Sequence, residues 1–281
     1  MGKRFSEQVV LITGASEGIG SATAKVFAQE GAKVALIARR KEKLEQVKDE
    51  ILKAGGSAEY FVADVTDYNQ MTNAVAEIIK LWGKIDVVLA NAGMGIPGHI
   101  AKLKVEDFRR QFEVNFFGVL NTMELTLPYL IQQKGRLGIV GSVAGRVCTP
   151  FSAPYCSSKY AVVALSECSY FDLKPLGVSV TCINPGFIGT EIRQKNKYGE
   201  LTSRPDPVPS FLVYPVDKTA KQIVCAIYRR KPEVVITMHG KLSIFFARHF
   251  PRTYRFLVGL VPLKKAIKLP LPVHPFDDEK K

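Results

Sequence analysis

Acidic residues are missing from one long stretch of this 281-residue chain: no Asp or Glu occurs from position 234 to position 276. Lys241, Arg248, Arg252, Arg255, Lys264, Lys265 and Lys268 fall there instead, so the formal charge of +13 leans toward the C-terminus. Such an excess suits nucleic acid, an anionic membrane surface or acidic ligands. Cysteine is scarce and scattered: Cys148, Cys156, Cys168, Cys182 and Cys225 form no CxxC and no metal-like spacing with the four histidines. The pattern argues against a disulfide scaffold and a metal site, and predicts neutral thiols in a reducing compartment. No apolar run approaches the ~20 residues of a membrane span, and no signal-peptide core precedes the first strand-like segment. The expectation is a cytoplasmic protein. Internal repeats and low-complexity blocks are lacking too.

What is present is a βα rhythm on a 47% hydrophobic chain. β-branched runs at 9–12, 34–38, 60–63, 85–90, 137–140, 178–183 and 234–238 alternate with helical periodicity at 18–30, 40–54, 68–82, 105–132, 155–174 and 216–230. The runs are continuously apolar, as in strands covered on both faces. The pattern predicts an α/β fold: a Rossmann-type, doubly wound, seven-stranded parallel sheet in a single domain, residues 1–240. A basic, hydrophobic C-terminal extension, 241–281, follows it. Residues 189–215, polar and then proline-rich, break the rhythm after the sixth strand. They are expected to lie over the carboxyl ends of the strands, where such sheets bind ligands.

Gly14, Ser16, Glu17, Gly18, Ile19 and Gly20 belong to TGASEGIG, a glycine-rich turn between a strand and a helix. Its glycines let the backbone approach a pyrophosphate, and the helix N-terminus offers N–H groups and a positive dipole end. The next strand ends at Ala38, where a site selective for NAD would carry an acidic residue. Arg39 and Arg40 follow instead. Guanidinium groups bind a ribose 2′-phosphate with charge-assisted hydrogen bonds, so NADP(H) is the expected cofactor. Later, YCSSK puts Tyr155 and Lys159 four residues apart, on one helix face. An ammonium beside a phenol favours the phenolate, so Lys159 is expected to lower the Tyr155 pKa.

These motifs, with Asp64-Val65, ANAG (90–93), Asn115, Ser142 and PGFIGT (185–190), resemble the short-chain dehydrogenase/reductase family over roughly residues 5–240. One departure is mild: Ala90 stands where family members often have Asn, which puts the local hydrogen bonding of that motif in question. The resemblance implies that Tyr155 is the general acid/base, that Lys159 lowers its pKa and binds the nicotinamide ribose, that Ser142 positions a carbonyl, and that Asn115 orders a proton relay. It implies further that Asp64 and Val65 flank the adenine and that Asn91, Ala92 and Gly93 wall the cleft. Pro185, Gly186, Ile188 and Thr190 would then shape the nicotinamide side. The family's habit of pairing through its long helices implies a homodimer or homotetramer. The alternative is a catalytically silent nucleotide-binding sensor or scaffold of the same fold, which loss of Ser142, Tyr155 or Lys159 would favour; all three are present. A serine hydrolase does not fit, since Ser142 lies in GSVAG rather than GxSxG.

In the tail, Lys241, Arg248, Arg252 and Arg255 share a narrow arc of a helical wheel, with Phe245, Phe246, Phe250 and Phe256 over much of the rest. Pro251 is expected to break this helix. The pattern reads as a peripheral membrane anchor, with an element closing the core or a dimer interface as the other reading. Nucleic acid does not suit so apolar a segment. An anchored reductase suggests a lipophilic ketone or alcohol of the sphingoid, oxoacyl, steroid or retinoid type.

Overall fold

The computed structural model describes residues 3–260 apart from 197 and 204. The cluster Lys264, Lys265 and Lys268 and the end of the extension lie outside the described residues. Seven strands form one parallel sheet in the order β3-β2-β1-β4-β5-β6-β7. They are β1 (Val9–Thr13), β2 (Lys33–Ala38), β3 (Ser57–Val62), β4 (Val87–Ala90), β5 (Arg136–Val140), β6 (Ser179–Asn184) and β7 (Glu233–Val235). Between them run α1 (Gly18–Gln29), α2 (Lys41–Lys53), α3 (Tyr68–Trp82), α4 (Val105–Phe112), α5 (Gly118–Gln133), α6 (Ala153–Leu173) and α7 (Val216–Tyr228). Two short helices close the described chain, α8 (Met238–His249) and α9 (Pro251–Gly259).

Strand periodicity builds two cores at once. In β1, Val10 and Ile12 join Phe27, Leu44 and Ile223 on one face, while Val9 and Leu11 join Met71, Val75 and Ile78 on the other. Each such fully buried side chain contributes ~1.5–3 kcal/mol, which is why these runs are apolar throughout. Local signals set the helix ends. Asp67 caps α3 by accepting the Gln70 N–H at 3.0 Å, and Gly83 ends it in the left-handed region at φ 75°. Pro154 occupies the first turn of α6, where its missing N–H costs nothing.

Beyond offsets of one to three residues at other element ends, two expected elements differ. The helix anticipated over 105–132 is interrupted: α4 ends at Phe112, and a π turn spans Glu113–Phe117 before α5 begins. Helical periodicity continues through a π turn, so the sequence pattern hides it. The last strand is shorter than 234–238, because Thr237 caps α8 with its side chain and starts a helix there. The helix therefore begins three residues before the 240/241 division. Pro251 does break the C-terminal helix, separating α8 from α9.

Candidate active site

The chain reverses its winding between β1 and β4, and the carboxyl ends of those strands open the crevice in which such sheets bind ligands. Gly14, at φ 66°, turns the chain out of β1. A Cβ there would stand 2.8 Å from Ala92 Cα, and one on Gly20 would overlap the Gly14 carbonyl oxygen. Asn91 locks the two loops together, donating to Thr13 O at 2.9 Å and Gly14 O at 3.2 Å. Thr13 Oγ1 accepts the Asn91 and Ala92 N–H groups, both at 3.1 Å. Thr13 was not singled out from the sequence, where a threonine closing a strand looks like β-propensity alone. Ala90 is buried within β4, so the hydrogen bonding of this motif rests on Asn91 and Thr13.

The residues suit a dinucleotide. Glu17, at the start of α1, makes no side-chain cap, so the first-turn amides of that helix are left for another acceptor. A cavity of about 280 Å³ runs past Gly18, Ser21, Lys43 and Thr190. Arg40 reaches Ser16 Oγ at 3.1 Å and Glu17 at 2.7 Å, while Arg39 lies exposed and 3.4 Å from Asp64. Lys43 at 3.5 Å and Lys195 complete a ring of cations around Glu17. Burial alone would raise the Glu17 carboxyl, but hydrogen bonds from Lys195 and Arg40 outweigh it and hold the group down to about 2. Lys195 comes from the segment over the strand ends, so Glu17 ties that segment to the phosphate turn. Nothing in the local sequence marks Lys195. Val65 is buried, and a Cβ on Gly118 would lie 2.6 Å from its Cγ2, so its side chain belongs to the core. The Val65 carbonyl accepts from Asn121 Nδ2 at 2.9 Å, which leaves Asp64 as the polar side chain of that pair.

The four expected catalytic residues converge beyond β4 and β5. Ser142 leaves β5 with its N–H donated to Asn184 Oδ1 at 3.1 Å, and its hydroxyl accepts the Ala144 N–H at 3.0 Å. Tyr155 stands in the first turn of α6, half-buried, and Gly95 comes close to its ring, a Cβ there lying 3.7 Å from Cδ2. Lys159 is buried one turn on, its Nζ 6.0 Å from the Tyr155 ring centre and donating to Val140 O at 2.7 Å. Asn115 sits in the π turn and is fully buried. Its Oδ1 accepts the Met94 N–H at 2.8 Å, and its Nδ2 donates to Met94 O at 3.1 Å and Ser158 Oγ at 3.0 Å. Gln111 adds a bond to Met94 O at 2.7 Å and accepts from Ile96 N at 2.7 Å. A Cβ on Gly93 would lie 3.3 Å from Asn115 Oδ1 and 3.7 Å from Lys159 Nζ, so both groups face one small space.

The expected lowering of Tyr155 is not what this environment gives. Burial pushes the phenol up; the Ser142 side chain and, at longer range, Arg193 pull it back only in part. Burial also lowers Lys159 to about 8. One N–H of the ammonium goes to Val140 O, with the Tyr155 ring centre 6.0 Å from Nζ. A second cavity, of about 390 Å³, is bordered by Ile100, Cys148, Phe151, Ala153, Cys156 and Ser157. At 100° per residue, Ala153 and Ser157 point away from Tyr155 and Lys159, while Cys156 lies about 60° from Lys159 on the wheel, so this cavity borders the same helix as the catalytic pair. Among the described residues, no group of three or more His, Cys, Asp or Glu could hold a metal ion.

A switch-point crevice with a glycine turn on one side and a Ser–Tyr–Lys–Asn cluster on the other defines a dinucleotide-dependent oxidoreductase. The short chain dehydrogenase family model matches residues 8–200. A dehydrogenase/reductase SDR family protein 7-like of Dictyostelium discoideum is 31% identical over 260 residues, covering 90% of this chain and 81% of that protein. The 3-oxoacyl-acyl-carrier-protein reductase FabG of Thermotoga maritima is 35% identical over 193 residues, covering 68% of this chain and 78% of that protein. A short-chain dehydrogenase/reductase from Burkholderia phymatum, crystallised in complex with NAD, superposes with a TM-score of 0.79 at 23% identity. That match covers 89% of this chain and 96% of the other. The chain belongs to the short-chain dehydrogenase/reductase family, whose members interconvert CH–OH and C=O groups with a nicotinamide cofactor.

Proposed function

We propose that this protein is an NADP(H)-dependent oxidoreductase that interconverts a ketone and a secondary alcohol on a lipophilic substrate. The observation that carries the reading is the convergence of Ser142, Tyr155, Lys159 and Asn115 on one crevice. NADPH, when bound, supplies the hydride. Ser142 orients the carbonyl oxygen, and Tyr155 gives its proton to the oxygen as negative charge develops there. Burial raises the phenol's pKa, so it carries the proton that carbonyl reduction needs. Lys159 supplies positive charge beneath that site, and Asn115 holds the Met94 main chain that walls it. The preference for NADP is supported by Arg39 and Arg40 after β2, where a site selective for NAD carries an acid at the strand end, and by Ser16 of the glycine turn beside them. The guanidinium groups, now paired with Asp64 and Glu17, can bind a 2′-phosphate.

A lipophilic substrate is supported by Phe187 and Phe211 in the segments over the strand ends; Phe211 is 84% exposed. Peripheral contact with a membrane is supported by the apolar and cationic residues exposed on α8 and α9. No helix among the described residues is long and apolar enough to cross a membrane. A homodimer or homotetramer is supported by apolar groups left exposed on the two long helices, Ile131 on α5 and Tyr160 and Phe171 on α6. The direct test is a panel of lipophilic ketones with NADPH, followed at the ~340 nm nicotinamide band, on wild type and Tyr155→Phe. Turnover of at least one ketone by wild type only is the expected result. Binding of NADPH without turnover of any member would favour the silent sensor.

A further inference from the structure

The two C-terminal helices cover little and are covered by little. α8 buries only Gly240, and no residue of α9 is buried. Yet their contacts fall on loops that build the active site. A Cβ on Gly240 would stand 2.6 Å from Cγ2 of Val143, the residue after Ser142. His239 stacks on Phe187, with ring centres 5.3 Å apart and planes inclined by 22°, and its Nε2 accepts the Phe187 N–H at 3.3 Å. The preceding Gly186 leaves no room for a side chain, since a Cβ would come within 2.7 Å of that nitrogen. From α9, Tyr254 donates to Cys148 O at 3.4 Å, in the segment leading to Tyr155. Pro185 O in turn accepts the Val143 N–H at 2.9 Å, linking the same loops beside Ser142.

The outer side has a different chemistry. Leu242, Phe245, Phe246, Phe250, Phe256 and Leu257 are 47–67% exposed. The rings of Phe245, Phe246 and Phe250 cluster at 5.7–6.4 Å. Lys241, Arg248, Arg252 and Arg255 are exposed on the same two helices, and neither helix carries an acid. Exposed aromatic groups and cations on one acid-free helix pair complement an anionic bilayer.

We propose that α8 and α9 form a lipid-responsive clamp: adsorption to an anionic bilayer fixes the helix pair and, through His239 on Phe187, holds loop 185–190 against the catalytic groups. This rests on the membrane contact proposed above and adds regulation to it. A bilayer shifts the loop only if it prefers one arrangement. In the packed arrangement Phe245, Phe246 and Phe250 form one exposed cluster and the cations of both helices are exposed with it, so adsorption selects it. Sparse burial lets the helix pair open locally when no bilayer holds it.

The full chain is mixed with phosphatidylcholine vesicles, with and without phosphatidylserine, and read by co-sedimentation and by amide exchange in loop 185–190. Anionic vesicles are expected to sediment wild type and slow that exchange about fivefold or more, the low end of ordinary coupling between sites. His239→Phe, which keeps a stacked ring without the acceptor, and His239→Ala should sediment equally but lose the slowing. The double substitution Phe245→Ser and Phe246→Ser should lose both. Sedimentation of wild type without slowing, or slowing that survives in both His239 variants, overturns the clamp while membrane contact stands. Wild type that does not sediment overturns both, and self-association dependent on Phe245 and Phe246 would then assign the face to a second copy.

Discussion

Tyr155 and Lys159 share one face of α6, and burial drives their pKa values in opposite directions, Tyr155 up and Lys159 down to about 8. Tyr155→Phe removes the proton donor with one atom and little change of shape. Turnover should fall by about 10²–10⁴ while NADPH affinity, read by fluorescence titration, is nearly kept. Lys159 loses its positive charge as pH rises through about 8, so kcat/KM for carbonyl reduction should decline over that range; a profile flat to pH ~10 would remove the lysine from the mechanism. The same shift bears on stability. The folded state releases the Lys159 proton at about 8 and the unfolded chain only near 10.5, so between those values the unfolded state binds more protons and stability rises with pH. Lys159→Met should therefore raise stability at pH 7, by ~2 kcal/mol in urea unfolding, and flatten that rise, while activity is lost. The identities of these residues were legible in the sequence through their spacing. Their protonation was not, because burial is set by Gly95, Ser142 and Val140, brought in from other parts of the chain.

At the scale of elements, the π turn at Glu113–Phe117 places Asn115 between Met94 and Ser158. Single-turn π segments recur at functional sites because the extra residue turns a side chain inward. Asn115→Leu leaves the Met94 N–H without its acceptor, at ~1–3 kcal/mol for a group left unsatisfied, while the Ser158 hydroxyl keeps its bond to Tyr155 O. Both the melting temperature and kcat should fall, and a loss of kcat with unchanged stability would favour the proton-relay role over the structural one. Glu17 works between elements, joining the phosphate turn to α2 and to the segment over the strand ends. Its folded pKa of about 2 lies below the ordinary 4.5, so its stabilising contribution is complete above 4.5 and lost as pH falls through 2. Glu17→Gln should remove that acid-range dependence and speed proteolytic cleavage within 189–215; unchanged cleavage would show that Lys195 does not hold the segment. The glycine turn itself could be read from the sequence, but the tie from Lys195 spans 178 positions and leaves no local pattern.

For the whole molecule, cofactor binding and folding are one equilibrium. A ligand at a hundred times its Kd stabilises the folded state by ~2.7 kcal/mol, about 5–10 °C in Tm for a domain of this size. NADPH should shift Tm more than NADH at equal concentration, and Arg39→Asp should reverse that order; an unchanged order would refute the phosphate role. The sequence by itself determined the α/β class, the strand count and the glycine turn, because hydrophobic periodicity and glycine placement act over a few residues. Through its resemblance to the family it supplied the Ser–Tyr–Lys–Asn set. It also determined that the tail is basic, apolar and broken at Pro251. Only the tertiary structure decided what those pieces do to one another. It gave one Lys159 N–H to Val140 O, put Asn115 in a π turn, held Glu17 with Lys195 and set His239 on Phe187. The physical reason is common to all four: hydrogen bonding, stacking and desolvation depend on distances between groups far apart in the chain, and no local pattern encodes such distances.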